Sequence, residues 1–228
     1  MNEKYRIFLL GGNSLIGNSI LKGIQFRYKN NETISVIRSG KNSDKNTIKV
    51  SDYRDFANKI NNFLDESSKN IFILSFGILN QENSANKLLD NLSSHIRINA
   101  YDKLFVMDKL KSLKNTHEIH IVSSILSGFF RPSIGSYSIS KYVLSKSIDI
   151  EIFLDKKMRK KIFLWNPAYV DSNLNKNRKS FLIKTSPIKI EKAVRYRSKG
   201  GEYYIPRYSV ILVKIASFLQ STINKLDK

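Results

Sequence analysis

Short apolar runs alternate with longer stretches of helical periodicity along the whole chain, and this alternation narrows the fold more than any other feature. Runs of strand length read near 5–10, 33–38, 47–50, 70–76, 117–123, 160–165 and 202–205. Helical spacing reads near 14–28, 55–67, 83–113, 136–157, 188–198 and 208–225. Strands separated by helix-length connections do not pair as hairpins. They are expected to join through right-handed crossovers into a parallel sheet covered by helices on both faces. The expected fold class is α/β, a single doubly wound parallel sheet. The 228 residues fit one domain, 1–228, and no repeat or linker divides them. Ligands of such sheets bind beyond the carboxyl ends of the strands, where the strand order reverses.

The strand ends carry the chemistry. Arg6-Ile-Phe-Leu-Leu10 leads into Gly11-Gly12-Asn13-Ser14-Leu15-Ile16-Gly17, and an apolar stripe through Leu15, Ile16, Ile20 and Ile24 continues at helical spacing. Strand, glycine turn and helix form the setting for a dinucleotide pyrophosphate. Glycines let the backbone come close, and the free amides of the helix start bind negative charge. A G-x-G-x-x-G string is absent, and Leu15 stands where a middle glycine would help, so an ordinary strand-to-helix turn is the alternative. The next strand, Thr33–Arg38, ends in a cation. An acid there would hold the ribose 2′-hydroxyl of NAD, whereas Arg38, with Ser39 and Lys41 beside it, suits the 2′-phosphate of NADP. Lys and Arg number 39 of the 228 residues, so a chance cation is the competing explanation.

Tyr137-Ser-Ile-Ser-Lys141 sets a phenol and an ammonium four residues apart, with Ser124 thirteen residues before the tyrosine. Positions four apart share a helix face. A phenol ordinarily loses its proton near pH ~10. A neighbouring ammonium favours the phenolate and lowers that value. The product is an acid/base group suited to carbonyl reduction or alcohol oxidation. Taken alone, the pair also fits two solvated side chains on a helix.

Taken in order, these segments resemble the short-chain dehydrogenase/reductase family, whose sheet is of the Rossmann type. Gly11, Gly12 and Gly17 are similar to its glycine turn in the form G-G-x-S-x-I-G. Asp52 falls where the family places an acid that contacts adenine. Ser75-Phe76-Gly77 replaces the usual Asn-Asn-Ala-Gly, and Asn99 stands at the family's asparagine position. Asn166-Pro167-Ala168-Tyr-Val170-Asp-Ser172 resembles its Pro-Gly segment. The resemblance implies an NAD(P)-dependent oxidoreductase acting on a small carbonyl or alcohol substrate. Tyr137 is then the acid/base, Lys141 holds the nicotinamide ribose, Ser124 binds the substrate oxygen, and Asn99 anchors a water of the proton relay. The cofactor set is Gly11, Gly12, Asn13, Ser14, Leu15, Ile16, Gly17, Arg38, Asp52, Phe76, Gly77, Tyr137, Lys141, Pro167 and Val170. The implied cofactor is NADP, with NAD the alternative, and no metal is called for. Members are commonly dimers or tetramers, which implies a homo-oligomer.

Within the family, G-G-x-S-x-I-G combined with S-F-G-x-L, and the tail Gly201–Pro206 before an amphipathic helix, are most similar to the subgroup that includes decaprenylphosphoryl keto-ribose reductases. That similarity implies a keto sugar in cell-surface polysaccharide synthesis. Residues 171–187 match the substrate loop. Lys176, Arg178, Lys179 and Lys184 there point to a phosphorylated or lipid-linked substrate, against a solvated basic loop. A protein that keeps the fold as a sensor or scaffold without turnover remains the other class.

The net charge of +20 has three explanations: biased composition, attraction to anionic substrates or lipid head groups, and nucleic acid. The basic residues are spread over the chain rather than gathered in a block, which disfavours nucleic acid. Cysteine is absent, and Met1-Asn-Glu-Lys-Tyr-Arg6 lacks the apolar run of a secretion signal. No stretch reaches the ~18 apolar residues of a membrane span. The expected location is cytoplasmic. The amphipathic basic helix near 208–225 leaves contact with a membrane surface, its own domain or a second subunit as alternatives.

Overall fold

The computed structural model describes residues 3–38, 45–82, 84–172 and 184–226, with side chains in the last helix as far as residue 219. Seven strands, β1 (Tyr5–Leu10), β2 (Asn31–Ile37), β3 (Thr47–Lys49), β4 (Lys69–Leu74), β5 (Thr116–Val122), β6 (Ile162–Pro167) and β7 (Gly201–Ile205), form one sheet. Its order is β3-β2-β1-β4-β5-β6-β7, and every pairing is parallel. The chain winds outward from β1 to β3, then returns to β4 on the other side of β1. The connections leaving β1 and β4 therefore diverge, which opens a crevice at their carboxyl ends.

The helices are α1 (Leu15–Arg27), α2 (Tyr53–Asn58), α3 (Ala85–Ile96), α4 (Asp102–Lys111), α5 (Gly135–Leu154), α6 (Pro187–Arg195) and α7 (Ser209–Leu226). Successive β1 residues feed opposite faces, as the two-residue strand period requires. Phe8 and Leu10 join a core with Phe56, Val106 and Leu144 under α2, α4 and α5. Ile7 and Leu9 join one with Ile20, Ile24, Ile190 and Val194 under α1 and α6. Strands buried on both faces read as unbroken apolar runs, which is why β1, β4 and β6 are legible.

Three expected elements change. The helix expected over 83–113 is divided by a π-helical segment, Arg97–Tyr101, between α3 and α4. The helix expected over 55–67 shortens to α2 plus a 3₁₀ turn, Ile60–Phe63. β4 stops at Leu74 rather than 76, because its ladder partner β1 ends at Leu10 and turns away at Gly11; the Ser75 hydroxyl donates to the carbonyls of Leu10 (3.0 Å) and Gly11 (3.2 Å) there. Ser39, Lys41, Lys176, Arg178 and Lys179 lie outside the described residues. Among the described residues, no helix is long and apolar enough to cross a membrane.

Candidate active site

β1 delivers the chain to Gly11 in the left-handed region, with φ +92°. A Cβ there would lie 2.8 Å from the Phe76 amide nitrogen, so the turn and the end of β4 approach as only glycine allows. Ser14 caps α1: its Oγ accepts from the Gly17 amide at 3.1 Å, and its own amide donates to Gly11 O at 2.8 Å. Asn18 Nδ2 fixes the turn by donating to Gly12 O (2.8 Å) and Ser14 O (2.9 Å). The first-turn amides of Leu15 and Ile16 have no carbonyl one turn back within the helix. They sit at its positive end, where an anion is favoured.

Arg38 follows β2, and its guanidinium carbon stands 5.5 Å from the Tyr53 ring centroid. Tyr53 in turn stacks on Phe76, with centroids 4.2 Å apart at 20°. Burial raises the Tyr53 phenol, and the Arg38 charge opposes that rise. Asp52 stands at the start of α2, next to Tyr53. It caps α2 through the Arg54 amide (2.8 Å) and pairs with the Arg54 guanidinium (3.2 Å).

The opposite wall comes from the π-helical segment, β5 and α5. Asn99 is fully buried in that segment. Its Oδ1 accepts from the Ile78 amide (2.9 Å), and its Nδ2 donates to Ile78 O (2.9 Å) and Ser140 Oγ (3.2 Å). It thereby ties the loop after β4 to the helix that carries Tyr137 and Lys141. Ser136, next to Tyr137, bonds His95 Nδ1 at 2.7 Å and donates to Glu82, and His95 Nε2 accepts from the Asn80 amide at 3.1 Å. This buried network fixes the start of α5. Lys141 Nζ stands 5.2 Å from the Tyr137 ring centroid. Burial lowers Lys141 to about 8.

These walls enclose a cavity of about 370 Å³. Of the residues named from the sequence, Gly11, Gly12, Asn13, Ser14, Leu15, Ile16, Arg38, Phe76, Gly77, Asn99, Tyr137 and Lys141 line it. Gly17, Asp52, Ser124, Pro167 and Val170 are not part of the lining. Gly17 is packed on Ser75, Pro167 ends β6, and Val170 belongs to the core. Ser124 Oγ caps the short turn after β5 by accepting from the Leu126 amide at 3.2 Å. Tyr53, Ser75, Lys103 and Ser123 also line the cavity and went unnamed as site residues in the sequence. Tyr53 is adjacent to the expected acid, and Lys103 follows Asn99 by four residues. Those spacings were the available signals. The histidines have local partners: His120 bonds Glu118 (2.8 Å) and the Trp165 indole (3.0 Å), and His117 bonds the Tyr28 hydroxyl (3.1 Å).

A short chain dehydrogenase from Burkholderia cenocepacia, solved in complex with NADP, superposes with a TM-score of 0.74 at 17% identity, over 99% of this chain and 98% of that one. The chain has the short-chain dehydrogenase fold. A 3-oxoacyl-[acyl-carrier protein] reductase from Brucella melitensis, in complex with NAD, gives 0.69 at 12% identity over 90% of this chain and 96% of that one. A 3-oxoacyl (acyl-carrier-protein) reductase from Agrobacterium tumefaciens with NADP bound gives 0.70 at 10% identity over 89% and 93%. No protein-family model and no curated protein sequence matches the chain. The likeness is one of architecture.

Proposed function

We propose that the chain is an NADP-preferring oxidoreductase that reduces a carbonyl or oxidises an alcohol. The observation that carries this is the meeting of two distant segments in one cavity: the glycine turn after β1 and the Tyr137–Lys141 face of α5. The residues present fit a dinucleotide. The Gly11 position would be filled by any Cβ, the start of α1 favours an anion, and Arg38 offers a cation to a 2′-phosphate. When bound, the cofactor supplies or accepts hydride at the substrate carbon. Tyr137 gives its phenolic proton to the substrate oxygen in reduction and takes it back in oxidation. Lys141 favours the phenolate through its charge. Asn99 and the Glu82–His95–Ser136 network hold that helix face in register.

A keto sugar bearing phosphate or a lipid carrier, in cell-surface polysaccharide synthesis, is the substrate class we favour by motif similarity. Exposed Tyr142, Ile150 and Phe153 on α5 support a homo-oligomer. The exposed stripe Ile211, Ile215, Phe218 and Leu219 on α7 supports a further contact, with a second subunit or a membrane surface. One observation favours a second function, a cofactor sensor or scaffold: Ser124 stands outside the cavity lining. NADPH oxidation across a panel of ketones and keto sugars separates the two. Turnover with any member supports the enzyme, and tight NADPH binding with none turned over supports the sensor.

A further inference from the structure

A second cavity, of about 730 Å³, opens at the β7 edge of the sheet, between α6, β7 and the start of α7. It shares no lining residue with the active-site cavity. One of its walls is aromatic. Tyr203 of β7 stacks on Trp165 of β6, with ring centroids 4.9 Å apart at 27°. Trp165 is itself fixed: its indole donates to His120 Nδ1 at 3.0 Å, and the two rings lie 3° from parallel. Tyr196, at the end of α6, adds a ring that is 77% exposed.

The other wall is cationic. Lys189 and Lys192 sit three positions apart on α6 and share a face with Tyr196. Arg197 follows that helix, and its guanidinium carbon stands 5.0 Å from the Tyr203 ring centroid. Arg207 enters from the turn before α7. Among the described residues, no carboxylate pairs with any of the four. The acid of α6, Glu191, pairs with Arg195 at 2.7 Å. Glu202, the one acid of the lining, accepts from Asn166 Nδ2 at 2.7 Å and from the Tyr204 hydroxyl at 3.0 Å. Four cations against one carboxylate leave the cavity three charges positive. Cations gathered in a concave site without counter-ions draw an anion in. A second copy of this chain is a poor occupant, because its own net charge of +20 would be repelled. Rings beside cations select an anion that also carries a planar face. The volume falls in the range of about 300–1,000 Å³ that small-molecule sites occupy.

We propose that this cavity is a second ligand site, for a nucleoside diphosphate: the base stacks against Tyr196 and Tyr203, and the phosphates are held by Lys189, Lys192 and Arg207. Arg197, lying over Tyr203, stiffens the aromatic wall. Neither the ring nor the phosphates suffice alone, since the two walls recognise different halves of the ligand. Because the two cavities have no residue in common, the site stands or falls independently of the oxidoreductase assignment above.

The chain has one tryptophan, and it lines this cavity, so its fluorescence reads binding without any turnover. GDP is titrated into the full chain with and without saturating NADP, which occupies the active site. Saturable quenching that survives NADP is expected, with a Kd below about 1 mM. Pyrophosphate, which lacks the ring, should bind roughly 5- to 100-fold more weakly. Guanosine, which lacks the charge, should bind about tenfold more weakly or worse. Tyr196→Ala should weaken GDP roughly fivefold or more, and Lys192→Ala combined with Arg207→Ala about tenfold or more. All three side chains are exposed, so the variants should fold, and thermal melting confirms it. Quenching abolished by NADP would put GDP in the active site. Pyrophosphate binding as tightly as GDP, with Tyr196→Ala silent, would reduce the cavity to an unselective anion patch. Either result, an affinity unmoved by the Lys192 and Arg207 substitutions, or no saturable quenching at all would overturn the proposal.

Discussion

Replacing Asn99 by alanine tests how the site is held together. The side chain is fully buried and makes three hydrogen bonds, two to the Ile78 backbone at 2.9 Å and one to Ser140 Oγ at 3.2 Å. The Ser140 hydroxyl keeps a partner in the variant, since it donates to Tyr137 O at 2.7 Å. The two Ile78 groups lose theirs. Ile78 is only half-buried, so water reaches those groups in part, and about 1 kcal/mol each is the fitting magnitude. The void left by the amide adds about 1 kcal/mol. The total of about 3 kcal/mol lowers Tm by roughly 6–12 °C in a chain of this size. Thermal and urea unfolding followed by circular dichroism read that loss directly. NADPH affinity should fall with it, because the loop after Phe76 and Gly77 is no longer tied to α5. A variant that melts within 1 °C of the wild type would refute the structural role assigned to Asn99.

Other outcomes follow from the same geometry. Tyr137→Phe should lower turnover by ~10²- to 10⁴-fold while NADPH binding measured by fluorescence is kept, since it deletes one proton and little packing; near-full activity would remove Tyr137 from the chemistry. Gly11→Val should abolish NADPH binding and lower stability, because its Cβ would meet the Phe76 amide and its φ would be strained; an unchanged dissociation constant would contradict the close approach of turn and β4. Burial raises the Glu118 carboxyl, but bonds from His120, Arg27 and Tyr28 outweigh it and hold the group down to about 2, below its ordinary 4.5. The folded state then binds fewer protons than the unfolded state between those values. The stabilisation is complete above about pH 4.5 and is lost as pH falls toward 2. Glu118→Gln should flatten the pH dependence of urea unfolding in that window, and an unchanged slope would count against the network.

The central strands were legible because parallel strands buried on both faces must be apolar throughout, as Ile71–Leu74 and Ile162–Trp165 are. The glycine turn and the Tyr137–Lys141 spacing were legible because each is a local pattern. The π-helical segment at Arg97–Tyr101 was not, since no proline or glycine interrupts the helical periodicity there. Lys103 was hidden by composition. Among 39 basic residues, a single buried lysine carries no mark of its burial. Ser124 was legible as a strand-end serine, but the bond that its oxygen accepts from the Leu126 amide depends on the 3₁₀ turn that follows. Asp52 likewise met a local competitor, the α2 amide at Arg54, that only the folded helix start supplies.

The central claim is that the crevice between the ends of β1 and β4, closed by α5, holds a dinucleotide. Calorimetric titration of the full chain with NADPH, repeated with NADH and with Arg38→Ala, tests it most directly. We expect one saturable site per chain, tighter for NADPH than NADH, with the difference largely erased by Arg38→Ala. Heats indistinguishable from dilution for both nucleotides would contradict it.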